Sequence, residues 1–251
     1  MKKLLLVPSF ILFSVLIVCG QTQQNKFETY FQTAIQHAKL TEYEKAIGYF
    51  EKALALQPDH YNSRENLMIC ATRLENSDLI LKHGYYLMKN AYDEAWLYYV
   101  LQREEVKQNR LQHALKILKK GRKRHPENLD LISHSVKLYI QMENYPEAVE
   151  LLEQKLQLSP RDKYAYCELG NLYEKLDKWK KAESNYQAAL KLDPVFYEGL
   201  SAMASLYYKM GLQEVSQKQV YFAKAKPYFN KANAVKNNKV WMVGTLENFH
   251  E

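Results

Sequence analysis

The sequence repeats its own pattern every 34 residues, and this period restricts the chain to a narrow set of folds. Four prolines mark the pattern at separations of 68, 34 and 34 residues: Pro58, Pro126, Pro160 and Pro194. Four alanines follow the same separations: Ala46, Ala114, Ala148 and Ala182. Self-similarity at this length is typical of small structural units that stack and share a continuous core. The gap of 68 residues predicts one further copy that has lost its markers.

The composition of the chain favours helices for these units. Apolar residues make up 47% of its 251 residues, yet it has only 8 glycines and 7 prolines. Few residues therefore support the tight turns that strands need, which favours an all-α fold. Large and small apolar residues recur at spacings of three, four and seven, so each set lies on one helical face. The small residues predict where two helices approach closely, and the large ones fill the space between helix pairs.

The clearest copy runs from residue 163 to residue 196 and reads KYAYCELGNLYEKLDKWKKAESNYQAALKLDPVF. Nine of its residues fit the pattern: Tyr166, Leu169, Gly170, Tyr173, Trp179, Ala182, Tyr186, Ala189 and Pro194. These residues resemble the tetratricopeptide repeat (TPR), a helix–turn–helix unit of 34 residues. The resemblance covers essentially the whole chain after its first twenty residues. It implies an all-α, right-handed superhelical solenoid of about six repeats.

The repeat register divides residues 27–237 into six repeats: 27–60, 61–94, 95–128, 129–162, 163–196 and 197–237. A short segment, 21–26, precedes them. The second repeat is degenerate. Where the pattern has a small residue, a large residue, a small residue and a proline, this repeat has Ile80, Gly84, Leu87 and Tyr92. Its length is nevertheless fixed by its neighbours.

The sixth repeat is nine residues longer than the others. Its insertion, near residues 212–220, contains neither glycine nor proline, so we expect extra helical turns and not a loop. Pro227 is expected to kink the following helix or to restart it. Residues 238–251 predict a final helix that covers the open end of the stack, as repeat arrays require.

The first twenty residues have the composition of an export signal. Two lysines precede an apolar stretch over residues 4–18, which ends in small residues. This arrangement predicts a secretory signal peptide over 1–20 that is cleaved before Gln21. This mainly apolar stretch of fifteen residues is short for a helix that crosses a bilayer. Two alternatives stay open: lipidation of Cys19, because a cysteine after an apolar run resembles a bacterial lipoprotein box, and an uncleaved anchor.

The charge of the chain does not call for a nucleic-acid partner. Its net charge is +7, or +5 without the two leader lysines, which is mild for this length. The basic run KKGRKRH over 119–125 falls where the second helix of repeat three ends, and cations are favourable there. An anionic membrane surface or a polysaccharide is the alternative ligand for this run. Cys70 and Cys167 are three stacked repeats apart, too far for a disulfide.

The sequence contains no enzyme signature. HExxH, GxSxG, CxxC and a phosphate-binding loop are all missing, and the seven histidines are scattered along the chain without the spacing of metal ligands. We therefore expect a protein that is not an enzyme, with no cofactor and no metal.

The family resemblance directs the search for a binding site to the first helix of each repeat. Ligands of TPR proteins usually contact positions 2, 5, 9, 12 and 13 of these helices, which line a concave groove. Position 13 is basic in five of six copies: Lys39, Arg73, Lys107, Gln141, Lys175 and Lys209. One interpretation is a positive column that binds an acidic peptide or a terminal carboxylate. The other is that a cation near a helix end suits the helix dipole.

Repeat three gives a more specific candidate. Trp96, Tyr99, Arg103 and Lys107 fall at positions 2, 5, 9 and 13, on one face of one helix. Arg73 from repeat two and Lys137 from repeat four should flank them. Exposed aromatic residues beside arginine are typical of binding hot spots. The alternative is that Trp96 and Tyr99 pack between repeats and compensate for the degenerate second copy.

Together these features predict a non-enzymatic scaffold or adaptor of the bacterial cell envelope, located in the periplasm. Its partner would be another protein or a peptide, an acidic one if the basic column binds. Membrane association is expected only if Cys19 is lipidated or the signal is not cleaved. The alternative function is a membrane-anchored lipoprotein that supports an outer-membrane or secretion assembly.

Overall fold

The computed structural model describes residues 9–90 and 92–236, and the side chains of 21–90 and 92–235. These residues form twelve α-helices and one short 3-10 helix, and no strand occurs among them. The chain divides into two compact units, residues 1–117 and 118–251. Each unit is a series of helical hairpins.

The first unit contains five complete helices and the first half of a sixth: α1 (Ser9–Lys39), α2 (Tyr43–Leu56), α3 (Tyr61–Arg73), α4 (Ser77–Lys89), α5 (Ala95–Lys107) and α6 (Leu111–Arg124). From α2 to α5, each helix packs on the one before it in sequence, and α1 also touches α3. Contacts between sequence neighbours build the core of this unit.

The second unit continues the same pattern with six helices: α7 (Leu129–Gln141), α8 (Tyr145–Leu158), α9 (Lys163–Lys175), α10 (Trp179–Leu192), α11 (Tyr197–Gln213) and α12 (Lys218–Lys236). Each of them packs on the next, and α9 also touches α11. The all-α fold of consecutive helical hairpins that the sequence predicts is confirmed.

The helices begin in the register of the repeat. In repeats two to five, the first helix begins at the first residue of the repeat and ends at the thirteenth. The second helix begins at the seventeenth residue of the repeat. Polar side chains cap several first helices. Asn128 accepts a hydrogen bond from the backbone N–H of Leu131 at 2.9 Å, and Asp162 accepts one from Ala165 at 3.0 Å. Such caps satisfy N–H groups that have no partner within the helix.

A single residue in the left-handed conformation makes the turn inside each of the first five hairpins. These residues are 34 apart and none is glycine: Thr41, Glu75, Asn109, Glu143 and Asp177, with φ between 53° and 60°. Around Glu143, its own N–H bonds to the carbonyl of Ile140 at 3.0 Å, and that of Asn144 bonds to Tyr139 at 2.9 Å. This pair of bonds is the Schellman motif, which closes a helix by reversing the chain.

The degenerate second repeat exchanges large and small residues without leaving a gap. Ile80 and Leu87 are fully buried at positions where the pattern has alanine. Gly84 stands where the other repeats have a large residue. A Cβ added there would lie 2.5 Å from Leu101 Cδ2 and 3.1 Å from Met68 Cε. The neighbouring side chains therefore fill the space that a large residue at position 84 would have occupied.

The sixth hairpin contains the inserted residues as helix. Helix α11 extends to Gln213, a 3-10 helix spans Val215–Gln217, and α12 begins at Lys218, so only Glu214 is non-helical. Helix α12 runs through Pro227 without restarting. The proline has no N–H to donate to the carbonyl of Ala223, but both residues are exposed, so water can satisfy that carbonyl.

The chain ends lie partly outside the described residues. Helix α1 is continuous across the cleavage position predicted before Gln21. The predicted cap over 238–251 lies outside the described part, as do residues 1–8. Among the helices described, none combines the length and the apolar character that crossing a bilayer requires. Cys70 and Cys167 are both buried and carry free thiols.

Candidate functional site

A pocket of about 300 Å³ opens between α3 and α5 in the first unit. Six residues line this α3–α5 pocket: Met68, Ile69, Thr72, Arg73, Trp96 and Val100. The four residues from α3 lie zero, one, four and five positions from Met68, and the two from α5 are four positions apart. Each helix therefore lines the pocket with one of its faces. First helices from two consecutive repeats thus build the pocket, which is where the family resemblance places ligands.

The floor and the mouth of the pocket are apolar. Met68 is buried at its base, and Gly84 on α4 leaves room for the methionine methyl group. Ile69 leaves 49% of its surface exposed to solvent. Ile69 is thus a large aliphatic side chain that stays partly exposed in the lining of a pocket. Exposed apolar surface in a concave site is typical of interaction sites, whereas single exposed apolar residues elsewhere on a surface are common.

Trp96 is held in place by a row of tyrosines. Its ring packs edge-on against that of Tyr92 with centroids 6.2 Å apart, and Tyr92 in turn contacts Tyr61 at 5.7 Å. The hydroxyl of Tyr92 donates a hydrogen bond to Glu65 at 2.9 Å. Burial, together with this carboxylate, raises the pKa of Tyr92 to about 12, so the phenol stays protonated. The indole is therefore half-buried and fixed at the pocket wall.

Arg73 is the cation of the pocket. It lies in the last turn of α3 and is exposed. It forms no hydrogen bond or ion pair with any residue that the structure describes. Its guanidinium is therefore available to an anion that enters the pocket from solvent.

Arg103 and Lys107 differ from Arg73 because both contact a buried carboxylate. Glu104 is fully buried, and its Oε1 lies 3.0 Å from an Arg103 nitrogen and 3.4 Å from Lys107 Nζ. Its other oxygen accepts a hydrogen bond from Ser77 at 2.7 Å. Burial alone would raise the pKa of Glu104, but these partners hold it below its ordinary value. The carboxylate is thus ionised and offsets part of the two positive charges.

A second buried glutamate follows directly on α5. Glu105 binds Arg110 through two contacts, of 2.5 Å to Nε and 3.1 Å to a terminal nitrogen, and accepts a hydrogen bond from the hydroxyl of Tyr85. Burial works against its ionisation, but the bonds from Arg110 and Tyr85 lower its pKa. Neither glutamate lines the pocket, so we assign both a structural role in positioning α5 against α4.

The structure brings together only part of the predicted site. Arg73 and Trp96 line one pocket, while Arg103 and Lys107 lie further along α5 and share Glu104. Tyr99 is half-buried on the same helix. Lys137 is exposed on α7 in the second unit, and the side chain of Cys19 lies outside the described ones. The role of all these residues in binding stays a prediction.

Sequence reasoning missed four of the six pocket residues: Met68, Ile69, Thr72 and Val100. Ile69 and Thr72 occupy positions 9 and 12 of repeat two, both of which are ligand-contact positions in the family. The two positions therefore indicated ligand contact, but the degenerate pattern of repeat two obscured this. In the part of the chain that the structure describes, no group of His, Cys, Asp or Glu side chains is arranged to hold a metal ion.

Comparison with known proteins agrees with this architecture. Three models of the tetratricopeptide repeat family match residues 27–60, 105–166 and 164–196, together half of the chain. No curated protein matches the sequence.

Solved structures of low sequence identity share the fold. The C-terminal part of a TPR repeat-containing protein from Cytophaga hutchinsonii has a TM-score of 0.66 and 22% identity, over 82% of this chain and 78% of its own. A tetratricopeptide repeat protein from Parabacteroides merdae has a TM-score of 0.61 and 14% identity, over 90% and 100%. YrrB, described as a TPR protein with an unusual peptide-binding site, has a TM-score of 0.57 and 17% identity, over 69% and 89%.

The TPR fold is typically a non-catalytic scaffold, and these matches agree with the repeat register of the helices. The chain belongs to the tetratricopeptide repeat family, and its repeats indicate a scaffold for protein–protein interaction.

Proposed function

We propose that this protein is an adaptor that binds a segment of another protein in the α3–α5 pocket. The observation that carries the proposal is Ile69, a half-exposed aliphatic side chain at the mouth of a pocket walled by Trp96. A tryptophan fixed by its neighbours loses little side-chain freedom on binding, which is a property of residues that dominate interface energies.

The size of the pocket sets the kind of ligand. A volume of about 300 Å³ lies at the low end of the range for ligand sites. It accommodates one or two side chains, and burying one large apolar side chain contributes about 1.5–3 kcal/mol. Micromolar binding needs about 8 kcal/mol. The bound segment must therefore make further contacts along α3 and α5, as a peptide of several residues does.

The likeness to YrrB supports the proposal in a limited way. That protein is described as having a peptide-binding site, and its fold is shared with this chain at 17% identity. The likeness makes a peptide ligand reasonable for this stack, while the location in the α3–α5 pocket rests on the side chains present here.

The proposal is tested by selecting a displayed library of random dodecapeptides on the full chain. We expect enriched peptides that bind the wild-type protein and bind an Ile69→Glu variant at least about tenfold more weakly, because a carboxylate replaces the apolar contact. Leu212→Glu is the matched control, since Leu212 is also a half-exposed aliphatic residue but lies on α11 in the second unit. Circular dichroism checks that both variants fold. Peptides that bind all three proteins equally, or no enrichment, would contradict the proposal.

We further propose that the adaptor works outside the bacterial cytoplasm, because residues 1–20 have the composition of a secretory signal. The second candidate, a lipoprotein anchored through Cys19, is favoured by the position of that cysteine after the apolar run. Mass spectrometry of the mature N-terminus in a bacterial host separates them. A free Gln21 supports the cleaved adaptor, a diacylated Cys19 supports the lipoprotein, and an unprocessed Met1 contradicts both.

A further inference from the structure

The cations near the α3–α5 pocket are not equivalent. Arg103 and Lys107 both contact Glu104, whose carboxylate is fully buried and ionised. An acidic ligand that approached them would compete with a carboxylate already in place. Arg73 has no such partner among the described residues, and it lines the pocket directly. The cation that lines the pocket without a carboxylate partner is therefore Arg73, at one edge, while the charges of Arg103 and Lys107 lie outside the pocket lining and share Glu104.

The arrangement around Arg73 places this charge beside an apolar site. Ile69 and Arg73 are four residues apart on α3, so they are neighbours on one helical face. Trp96 and Val100 provide the opposite wall from α5. A ligand that inserts an apolar side chain between Ile69 and Trp96 thus brings its adjoining residues close to the guanidinium.

We infer that the bound segment carries a large aliphatic or aromatic residue with an aspartate or glutamate within two positions of it. This inference rests on the proposed function and names the chemistry of its ligand. The apolar side chain fills the pocket, and the carboxylate accepts hydrogen bonds from Arg73. Arginine suits this role because its planar guanidinium can donate two parallel hydrogen bonds to one carboxylate.

The charge of Arg73 determines selectivity more than affinity. Because Arg73 is exposed, solvent screens its pair with a carboxylate, and pairs of this kind change affinity by about fivefold or less. A lysine or arginine on the ligand at the same place would meet a like charge and be rejected. Reversal of the charge at residue 73 should therefore reverse the preference.

The first arm of the test repeats the dodecapeptide selection on the wild-type chain and on an Arg73→Glu variant. On the wild type we expect an Asp or Glu within two residues of the apolar anchor in most enriched peptides. On the variant we expect Lys or Arg at that place. Ile69 stays unchanged in both proteins, so enrichment through the apolar contact is retained.

The second arm uses one synthetic peptide from the wild-type selection and its amidated form, in which the Asp or Glu is changed to Asn or Gln. We expect the amide to bind the wild type about fivefold more weakly and to bind Arg73→Gln with less than twofold loss. Lys89→Gln is the matched control, because Lys89 is an exposed cation in the last turn of α4 outside the pocket. It should keep the fivefold difference.

The outcomes separate the inference from the proposed function. If peptides depend on Ile69 but show no acidic residue, or if the amide loses as much affinity on Arg73→Gln as on the wild type, the inference is wrong and the pocket still binds peptides. If nothing enriched depends on Ile69, both are overturned. Retention of the acidic preference by the Arg73→Glu variant would also overturn the inference, since another cation would then be responsible.

Discussion

Gly170 shows how closely the two helices of one repeat approach each other. A Cβ at this position would lie 2.4 Å from a ring carbon of Tyr186. That ring is fully buried, and its hydroxyl lies 2.5 Å from Glu174 and 2.7 Å from Asn171, so it cannot move aside freely. In repeat two the roles are exchanged, with Met68 large and Gly84 small. In both repeats a large side chain of one helix fills the space beside a glycine of the other helix, although the two residues have exchanged places.

We predict that Gly170→Ala destabilises the protein by about 1–2 kcal/mol. Overpacking costs about 1–3 kcal/mol, and the higher helix propensity of alanine returns up to about 1 kcal/mol. Urea unfolding followed by circular dichroism measures the change. Combining it with Tyr186→Leu, which removes the ring, should abolish most of the penalty.

Gly48 provides the control for this substitution. It lies inside α2 with no atom within 4 Å of an added Cβ. Gly48→Ala should therefore stabilise the protein by about 0.5–1 kcal/mol through helix propensity alone. If Gly170→Ala and Gly48→Ala changed the free energy of unfolding equally, the contact of residue 170 with Tyr186 would contribute nothing to the difference.

At the level of single residues, the candidate site was partly predictable. Trp96 and Arg73 follow from family contact positions, which depend only on the register. The spacing of Glu104 and Lys107 allows an ion pair at i and i+3 on one helix, but the burial of Glu104 was not predictable, because position 10 has no assigned role in the pattern. Glu104 is buried through its contact with Ser77 of the preceding repeat, and sequence periodicity within one helix cannot show such a partner.

Helices and the turns between them are governed by backbone geometry. Each of the first five hairpins reverses at one residue with positive φ, and this is a conformation that disfavours residues with a Cβ. Thr41 is the least suited of the five, since its side chain is branched at Cβ. Five such positions mean that the turn is retained in spite of a local cost.

We predict that Thr41→Gly stabilises the protein by about 1 kcal/mol. Glycine adopts positive φ without steric penalty, although its greater freedom in the unfolded chain offsets part of the gain. Thermal unfolding measures the effect. The same substitution at Thr29, an exposed residue inside α1, should instead cost a few tenths of a kcal/mol. A loss of stability at Thr41 would mean that its side chain has a role beyond the turn.

The buried glutamates make the stability of α5 dependent on pH. Glu105 has a pKa below its ordinary value of 4.5, so its ionised form stabilises the fold above that pH. This contribution is lost as the pH falls from about 5 through the lowered folded-state pKa. We predict that Glu105→Gln costs about 2–3 kcal/mol at pH 7, because Arg110 and Tyr85 lose an ionised partner.

Urea midpoints measured between pH 3 and pH 7 test this prediction. The difference between wild type and Glu105→Gln should shrink as the pH falls from about 5 through the lowered folded-state pKa of Glu105, because the glutamate takes up a proton and becomes neutral like the glutamine. Glu51→Gln is the control, because it makes the same change at an exposed glutamate on α2. A difference that does not change with pH would assign the loss to shape and not to charge.

At the level of elements, the sequence predicts the hairpin order and the helical insertion in repeat six. It does not predict the positive φ at Glu75 or Glu143, because the turn is set by backbone hydrogen bonds and tolerates many side chains. It also suggested a kink or a restart at Pro227, and the helix does not restart there. The continuous helix is possible because the unpaired carbonyl belongs to an exposed residue, Ala223, and such exposure depends on how α12 packs.

Within each of the two units, most of the contacts between described helices join elements that are adjacent in sequence. In such arrays stability is close to a sum of repeat and nearest-neighbour terms, so a local change should act locally. Cys70 in the first unit and Cys167 in the second serve as probes of each. Burial raises the pKa of both thiols, that of Cys167 to about 12, so neither is reactive in the folded protein.

We predict that the two thiols report different unfolding midpoints in the Gly170→Ala variant. A short pulse of iodoacetamide across a urea series, followed by mass spectrometry, measures the alkylation of each cysteine. The midpoint for Cys167 should fall more than that for Cys70, since Gly170 and Cys167 share α9. Equal shifts would show that the chain unfolds as one cooperative block and that coupling between neighbours is strong.

The one-residue turns also bear on how this chain can change over evolution. A turn closed by two hydrogen bonds around a single residue has no spare length, so an added or deleted residue there would rotate the following helix out of register. The sixth hairpin has no such turn, and it is the one that carries nine additional residues. In an alignment of relatives, gaps should therefore collect in the sixth hairpin and between hairpins. The spacing of 34 from Thr41 to Asp177 should stay free of them.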